Sequence, residues 1–181
     1  MTFYVRTLPH WQPPGKDIFI TWRLHGSLPA TYNIRENAGS AGKRFRMYDR
    51  ILDRATTGPH WLEDPFIAES VISAFLKGHE QKMFRLHTYV LMANHVHLLL
   101  EPLSPVPRIT HLIKGSTARE ANRILDLTGN RFWQDESFDH WIRNTAQWNR
   151  IRAYIVGNPV AAGLVKKPEQ WPWSSAARPI L

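Results

Sequence analysis

An α+β sandwich, an antiparallel sheet covered by helices, is the fold class this sequence predicts. Three observations point to it. Apolar residues alternate at strand period over 17–25 and through the hairpin 83–101. Longer stretches carry apolar residues at helical spacing. The order is strand, helices, hairpin, helix, strand, helix, which matches a ferredoxin-like sandwich with helices packed mainly on one face.

Taken in order, residues 1–16 lack an apolar signal core and read as an irregular arm. In DIFITWRLH, Ile18, Ile20, Trp22 and Leu24 share one face of a strand. The Gly-, Asn- and Ala-rich stretch 29–42 reads as a loop. A helix over 43–55 follows, with Phe45, Tyr48, Ile51 and Leu52 as its apolar stripe. Arg46, Arg50 and Arg54, interleaved with Asp49 and Asp53, read as a solvated face that neutralises itself. Asp64 caps a helix that opens on Pro65 and runs to about 78.

Beyond the hairpin, Ile109, Leu112, Ile113, Ala121, Ile124 and Leu125 form the buried stripe of a helix over 107–127. Arg108, Lys114, Arg119 and Arg123 lie on its polar side, as phosphate contacts or as a solvated face. Gly115 within it suggests close approach of a backbone or ligand. A strand is expected at 138–143 and a helix over 145–158, stopped at Asn158 by Pro159. Residues 17–165 make one domain, and 166–181 a tail laid against it.

Composition narrows the function classes. A formal net charge of +8 favours an anionic partner, nucleic acid first, although a merely basic protein fits as well. No apolar run is long enough for a membrane span. With no cysteine there are no disulfides or thiolate metal sites, which is compatible with a reducing cytoplasm.

The chemistry concentrates in MFRLHTYVLMANHVHLLLEP, residues 83–102. His95 and His97 are two apart on a strand and project from one face, while Val96, Leu98 and Leu100 project from the other. Two adjacent imidazoles form half of a metal site, or the polar alternation of an exposed strand. His87 and Glu101 are candidate neighbours of the pair. Tyr154 and Asn158, four apart on the last helix, also share a face. A helix tyrosine that packs, followed by an Asn-Pro stop, accounts for that motif equally well.

Read together, these segments resemble the REP-associated tyrosine transposases among the HUH single-strand endonucleases. The likeness rests on YVLMANHVHLLLEP, IKGSTAREAN, FWQDESFDHWIRN and YIVGNPVAAGLVKKPEQWPWSSA, with WRLHGSLP and GPHWLEDPFIAESV upstream. Ala93 stands where that family commonly has proline. The resemblance implies Tyr154 as nucleophile and a divalent metal, Mg2+ or Mn2+, held by His95, His97 and Asn158. Imidazole pairs by themselves would suit zinc, copper or nickel. It further implies cleavage of single-stranded DNA beside REP-type hairpins through a 5′-phosphotyrosine, and a bacterial cytoplasmic, nucleoid-associated location.

A phenol suits such a reaction because its pKa of ~10 makes the phosphotyrosine link reversible. Tyr89, nearest in sequence to the histidines, is the alternative nucleophile. Trp11, Trp133, Trp141, Trp171 and Trp173 could stack on bases or simply pack. A basic hairpin-binding module that does not cut, and a hydrolytic metal nuclease that does not use Tyr154, are the rival readings. Monomer and dimer stay open.

Overall fold

Alternation along two neighbouring strands sorts the centre of the molecule into two layers. β3 (Ile18–Arg23) pairs antiparallel with β5 (His95–Pro102), Ile20 opposite Leu98 and Thr21 opposite His97. Successive side chains leave opposite faces. Ile18, Ile20, Trp22, Val96, Leu98 and Leu100 therefore share one core, while Phe19 and Leu99 belong to another. β4 (Phe84–Leu91) flanks β5 and β6 (Phe138–Trp141) flanks β3, giving the order β4-β5-β3-β6. This computed structural model describes residues 2–5, 9–13, 15–28, 41–54 and 57–180. Most of the expected loop 29–42, and the side chain of Trp11, lie outside what it describes.

Helices α2 (Pro65–Glu80) and α3 (Val106–Ile124) make the two crossovers and cover the first face. Val71, Ile72 and Phe75 from one, with Ile109 and Ile113 from the other, meet the sheet there. On the second face lie α1 (Ala41–Asp53) and α4 (Thr145–Ala161), where Phe45 and Ile155 pack against Phe19, Val90 and Leu99. The α+β class and antiparallel sheet are as the sequence led us to expect; the helices divide between the two faces.

Local signals explain most boundaries. The Asp64 carboxylate accepts from the backbone N–H groups of Phe66 and Ile67, with Pro65 in the first turn. Asn144 caps α4 by accepting from the Gln147 N–H. After Leu91 the edge of β4 is covered by the chain's end: the Leu91 N–H donates to the Trp173 carbonyl and the Ser175 N–H to the Tyr89 carbonyl. That contact protects an edge open to foreign strands.

Three local expectations are corrected. Residues 1–16, expected to be irregular, include a two-stranded hairpin of β1 (Thr2–Val5) and β2 (Pro9–Gln12). Aromatic and β-branched residues in TFYV favour a strand, a signal that the lack of an apolar signal core does not address. The last helix does not stop at Asn158 but passes through Pro159 to Ala161. So near a helix end, proline removes one hydrogen bond without cutting a long ladder. No backbone approaches Gly115: a Cβ there would meet nothing within 4 Å. It borders an open cleft of about 700 Å³ between α3 and residues 130–137.

Gly78 is where glycine is required for space. A Cβ at this buried position would sit 2.5 Å from Cε1 and 2.7 Å from Cζ of Phe84, itself fully buried. Gly78→Ala should therefore destabilise the fold by about 1–3 kcal/mol despite its better helix propensity. Urea denaturation checks this, and an unchanged or raised midpoint would contradict the packing described.

Candidate active site

Three elements deliver one buried cluster on the second face of the sheet. β5 contributes His95 and His97, both fully buried, with ring centroids 4.8 Å apart. α4 contributes Tyr154 and, one turn on, Asn158, which is 2 % exposed. α1 contributes Asp49, which is 1 % exposed and which sequence reasoning had assigned to a solvated face. Asp49 Oδ1 lies 3.1 Å from His97 Nε2 and 3.5 Å from His95 Nε2. Its other oxygen accepts from the Tyr154 hydroxyl and, at 3.2 Å, from Asn158 Nδ2.

Neighbours set the orientation of both imidazoles. Asn94 donates its amide nitrogen to the Leu52 carbonyl at 3.0 Å, which turns Oδ1 toward His95 Nδ1 at 2.7 Å. His95 must therefore donate from Nδ1, leaving Nε2 as a lone pair aimed at Asp49. His97 Nδ1 meets Thr21 Oγ1 at 2.7 Å from the adjoining strand, and its Nε2 accepts from Asn158 at 3.2 Å. Such outer partners orient a histidine whose other nitrogen is to ligate.

Electrostatics leave this cluster short of positive charge. Burial pushes the Asp49 carboxyl up, but His97, His95 and the Asn158 amide outweigh it and hold the group below the usual carboxylate value. Burial drives His95 down to about 3, so its imidazole is neutral. Asp53, one turn beyond Asp49 and 3.7 Å from His95 Nε2, is raised to about 7 by burial and then by the charge on Asp49. Asp49 Oδ1, Asp53 Oδ1, His95 Nε2 and Asn158 Oδ1 are all buried without a hydrogen-bond donor. An unpaired buried acceptor costs ~1–3 kcal/mol. One cation answers several of them at once. Ligand atoms of Asp49, His95 and His97 all lie within 4.8 Å of one another, so the donor set fits a divalent metal.

The structure brings His95, His97, Tyr154 and Asn158 together and leaves other candidates elsewhere. Arg108, Arg119 and Arg123 are exposed on α3, which packs on the opposite face of the sheet. Arg123 is paired with Glu120. Lys114 donates to the Gln134 and Asp135 carbonyls. His87 lies 3.3 Å from Asp17, and Glu101 pairs with Arg85 near the far end of β5, so neither adjoins the cluster. Tyr89 is buried in the other core, its hydroxyl on the Arg178 carbonyl. Trp133 and Trp171 are tied into the fold by their indole N–H groups, which donate to Thr117 Oγ1 and the Leu91 carbonyl. Trp173 lies under Arg178, and Arg143 sits over Trp141.

Asp49, Asp53, Asn94 and Thr21 were missed. A signal for Asp49 existed: it is four residues after Phe45 and three before Leu52, on the buried stripe rather than the arginine stripe. Asn94 looked like an ordinary turn residue, and Thr21 like an ordinary strand residue.

Comparison with known proteins places the chain that carries this cluster in a family. Residues 52–158, more than half of the chain, match the family described as Transposase IS200 like. The chain belongs to this family of single-tyrosine transposases. The matched stretch contains His95, His97, Tyr154 and Asn158. The REP-associated tyrosine transposase of Escherichia coli (strain K12) is 25% identical over 108 residues, 59% of this chain and 63% of that protein. The aligned part is thus less than two thirds of that relative's length. The structure of a REP-associated tyrosine transposase bound to a REP hairpin shares the fold, with a TM-score of 0.56 at 20% identity, over 100% of this chain and 88% of the other.

His95 and Asp53 should oppose each other in the stability of metal-free protein. His95 is depressed, so between about 3 and 6.5 the unfolded chain takes up a proton that the folded one refuses, and acidification destabilises. Asp53 is raised, so the folded state keeps a proton up to about 7 and loses that advantage as pH rises. Asp53→Asn removes only the second effect. Relative to wild type, its stability should fall on acidification with an added slope approaching one proton, ~1.4 kcal/mol per pH unit. Urea unfolding of chelator-treated protein across this range checks it; identical pH profiles would contradict the proton held on Asp53.

Proposed function

We propose that this chain is a metal-dependent, single-tyrosine endonuclease and strand transferase acting on single-stranded DNA beside a hairpin. The observation that carries the reading is the convergence of Tyr154, His95, His97, Asn158 and Asp49 from three separate elements in one buried cluster. Family membership supports the reaction class. The REP hairpin bound by the structural relative supports hairpin DNA as substrate, as does a net charge of +8.

In this reading Tyr154 Oη attacks the scissile phosphorus. An Oη–P bond forms, the P–O3′ bond breaks, and the strand upstream leaves through O3′, which takes a proton from water to become a 3′ hydroxyl. Tyr154 already donates its hydroxyl proton toward Asp49 Oδ2, which makes that carboxylate the nearest acceptor for it. The return reaction, with a 3′ hydroxyl attacking the phosphotyrosine, gives strand transfer. His95 Nε2, His97 Nε2 and Asp49 Oδ1 would hold the metal, joined by Asn158 Oδ1 once that amide turns its oxygen rather than its nitrogen toward the ion, and oxygen donors beside the imidazoles favour Mg2+ or Mn2+. Bound there, the ion would neutralise charge on the scissile phosphate and orient it.

Tyr154→Phe should bind an end-labelled hairpin oligonucleotide nearly as tightly as wild type while forming no covalent protein–DNA adduct on a denaturing gel. An adduct that persists moves the nucleophile elsewhere. The same gel decides against the binding-module reading, since a module that only binds yields no adduct with wild type either. Asp49→Asn should weaken Mn2+ binding by at least the ~10–100-fold found when a group that only orients ligands is lost. Calorimetric titration measures this directly, and unchanged affinity would remove Asp49 from the metal site.

A further inference from the structure

We propose that the recess beside Tyr154 receives one unpaired nucleobase of the DNA strand, adjacent to the phosphate being cut; the placement rests on Tyr154 as the nucleophile. This recess, of about 330 Å³, lies between α1, β3, β6 and α4. Its size is at the low end for ligand pockets, suited to a single base rather than a base pair.

The lining matches what a base requires. Phe45 and Phe138, stacked with centroids 4.5 Å apart, form an aromatic wall, and Tyr154 closes one side. Aromatic side chains bind unpaired bases by stacking, whatever their sequence. Arg46 and Arg150, both exposed, also border the recess, where phosphates on either side of an inserted base would pass. The cations of α3 lie on the other face of the sheet and cannot serve this strand at the same point.

A polar pair gives the recess a fixed edge. Gln147 Oε1 accepts from the Arg143 backbone N–H at 2.9 Å, so Gln147 Nε2 is the group that donates to His140 Nε2 at 2.7 Å. His140 therefore carries its proton on Nδ1, and burial, then the Arg143 charge, keeps the ring neutral by lowering its pKa. Beyond their mutual hydrogen bond, the two side chains retain an amide N–H and a ring N–H. Both suit the carbonyl or ring-nitrogen acceptors of a base.

The test is an abasic scan. A DNA hairpin with single-stranded flanks is prepared with each flanking nucleotide made abasic in turn, and binding is measured in chelator with wild type and with Phe138→Leu. With wild type, one position should cost about tenfold or more in affinity, as expected for a lost stacked base. With Phe138→Leu that position should lose its special sensitivity. Circular dichroism verifies the variant's fold, with Phe138→Met as the substitute if leucine is not tolerated. A uniform profile, a sensitive position unaffected by either substitution, or no binding at all overturns the pocket. Because binding is read without metal, a missing covalent adduct would remove the cutting reaction and leave this result standing.

Discussion

A carboxylate buried against two imidazoles is the constraint on which the rest of the second face depends. A buried charge with incomplete partners is expensive, and the groups that meet Asp49 come from β5 and α4. Tyr154 and Asn158 both hydrogen-bond to the same oxygen from successive turns of α4. That leaves the other oxygen to the histidines. α1 is held in place by the Asn94 amide on the Leu52 carbonyl and by Phe45 set edge-on against Phe19, centroids 5.1 Å apart. The hairpin turn thus does two jobs at once: Asn94 both fixes the tautomer of His95 and ties down the helix that carries Asp49.

The sheet separates stability from chemistry by strand alternation. On one face α2 and α3 bury a large apolar core that includes Trp22, Phe75, Phe84 and Tyr89. On the other, a smaller and more aromatic cluster accommodates the acceptors that have no donor. Each of those weakens the metal-free fold, and the first core offsets them. A residue moved by one register along β5 would exchange the faces, putting Val96 into the site and His97 into the dry core.

Much of this was legible in the sequence, because period-2 and period-3.6 patterns are long here and caps such as Asp64 are unambiguous. His95 and His97 were read on the correct face, and Tyr154 and Asn158 were read together. The contribution of α1 was not. Five charges spaced through one helix look self-neutralising, and that reading outweighed the spacing that puts Asp49 on the stripe of Phe45 and Leu52; in the fold the arginines face solvent while Asp49 and Asp53 turn inward. The α3 cations were legible as a basic helix face, but such a face says nothing about which side of a sheet it will occupy. Pro159 misled for a simpler reason, since its cost depends on how much helix follows it.

α1 then takes on more than its length suggests. Phe45 and Asp49, four residues apart, stack on one side of the helix, and Arg46 lies a residue further round toward solvent. Through these positions a single turn supplies an aromatic side chain to the recess, the carboxylate to the histidine pair and a cation to the rim. The Asp49 carboxylate that meets the histidines and Tyr154, and the Phe45 ring that lines the recess, are therefore not independent parts. Any displacement of α1 from the sheet withdraws all of them together, and anything that binds the recess or the histidine pair holds α1 in place. On the proposed reading, DNA bound in the recess and the buried cluster would share one short helix, because residues three and four apart on it face both the recess and the histidine pair.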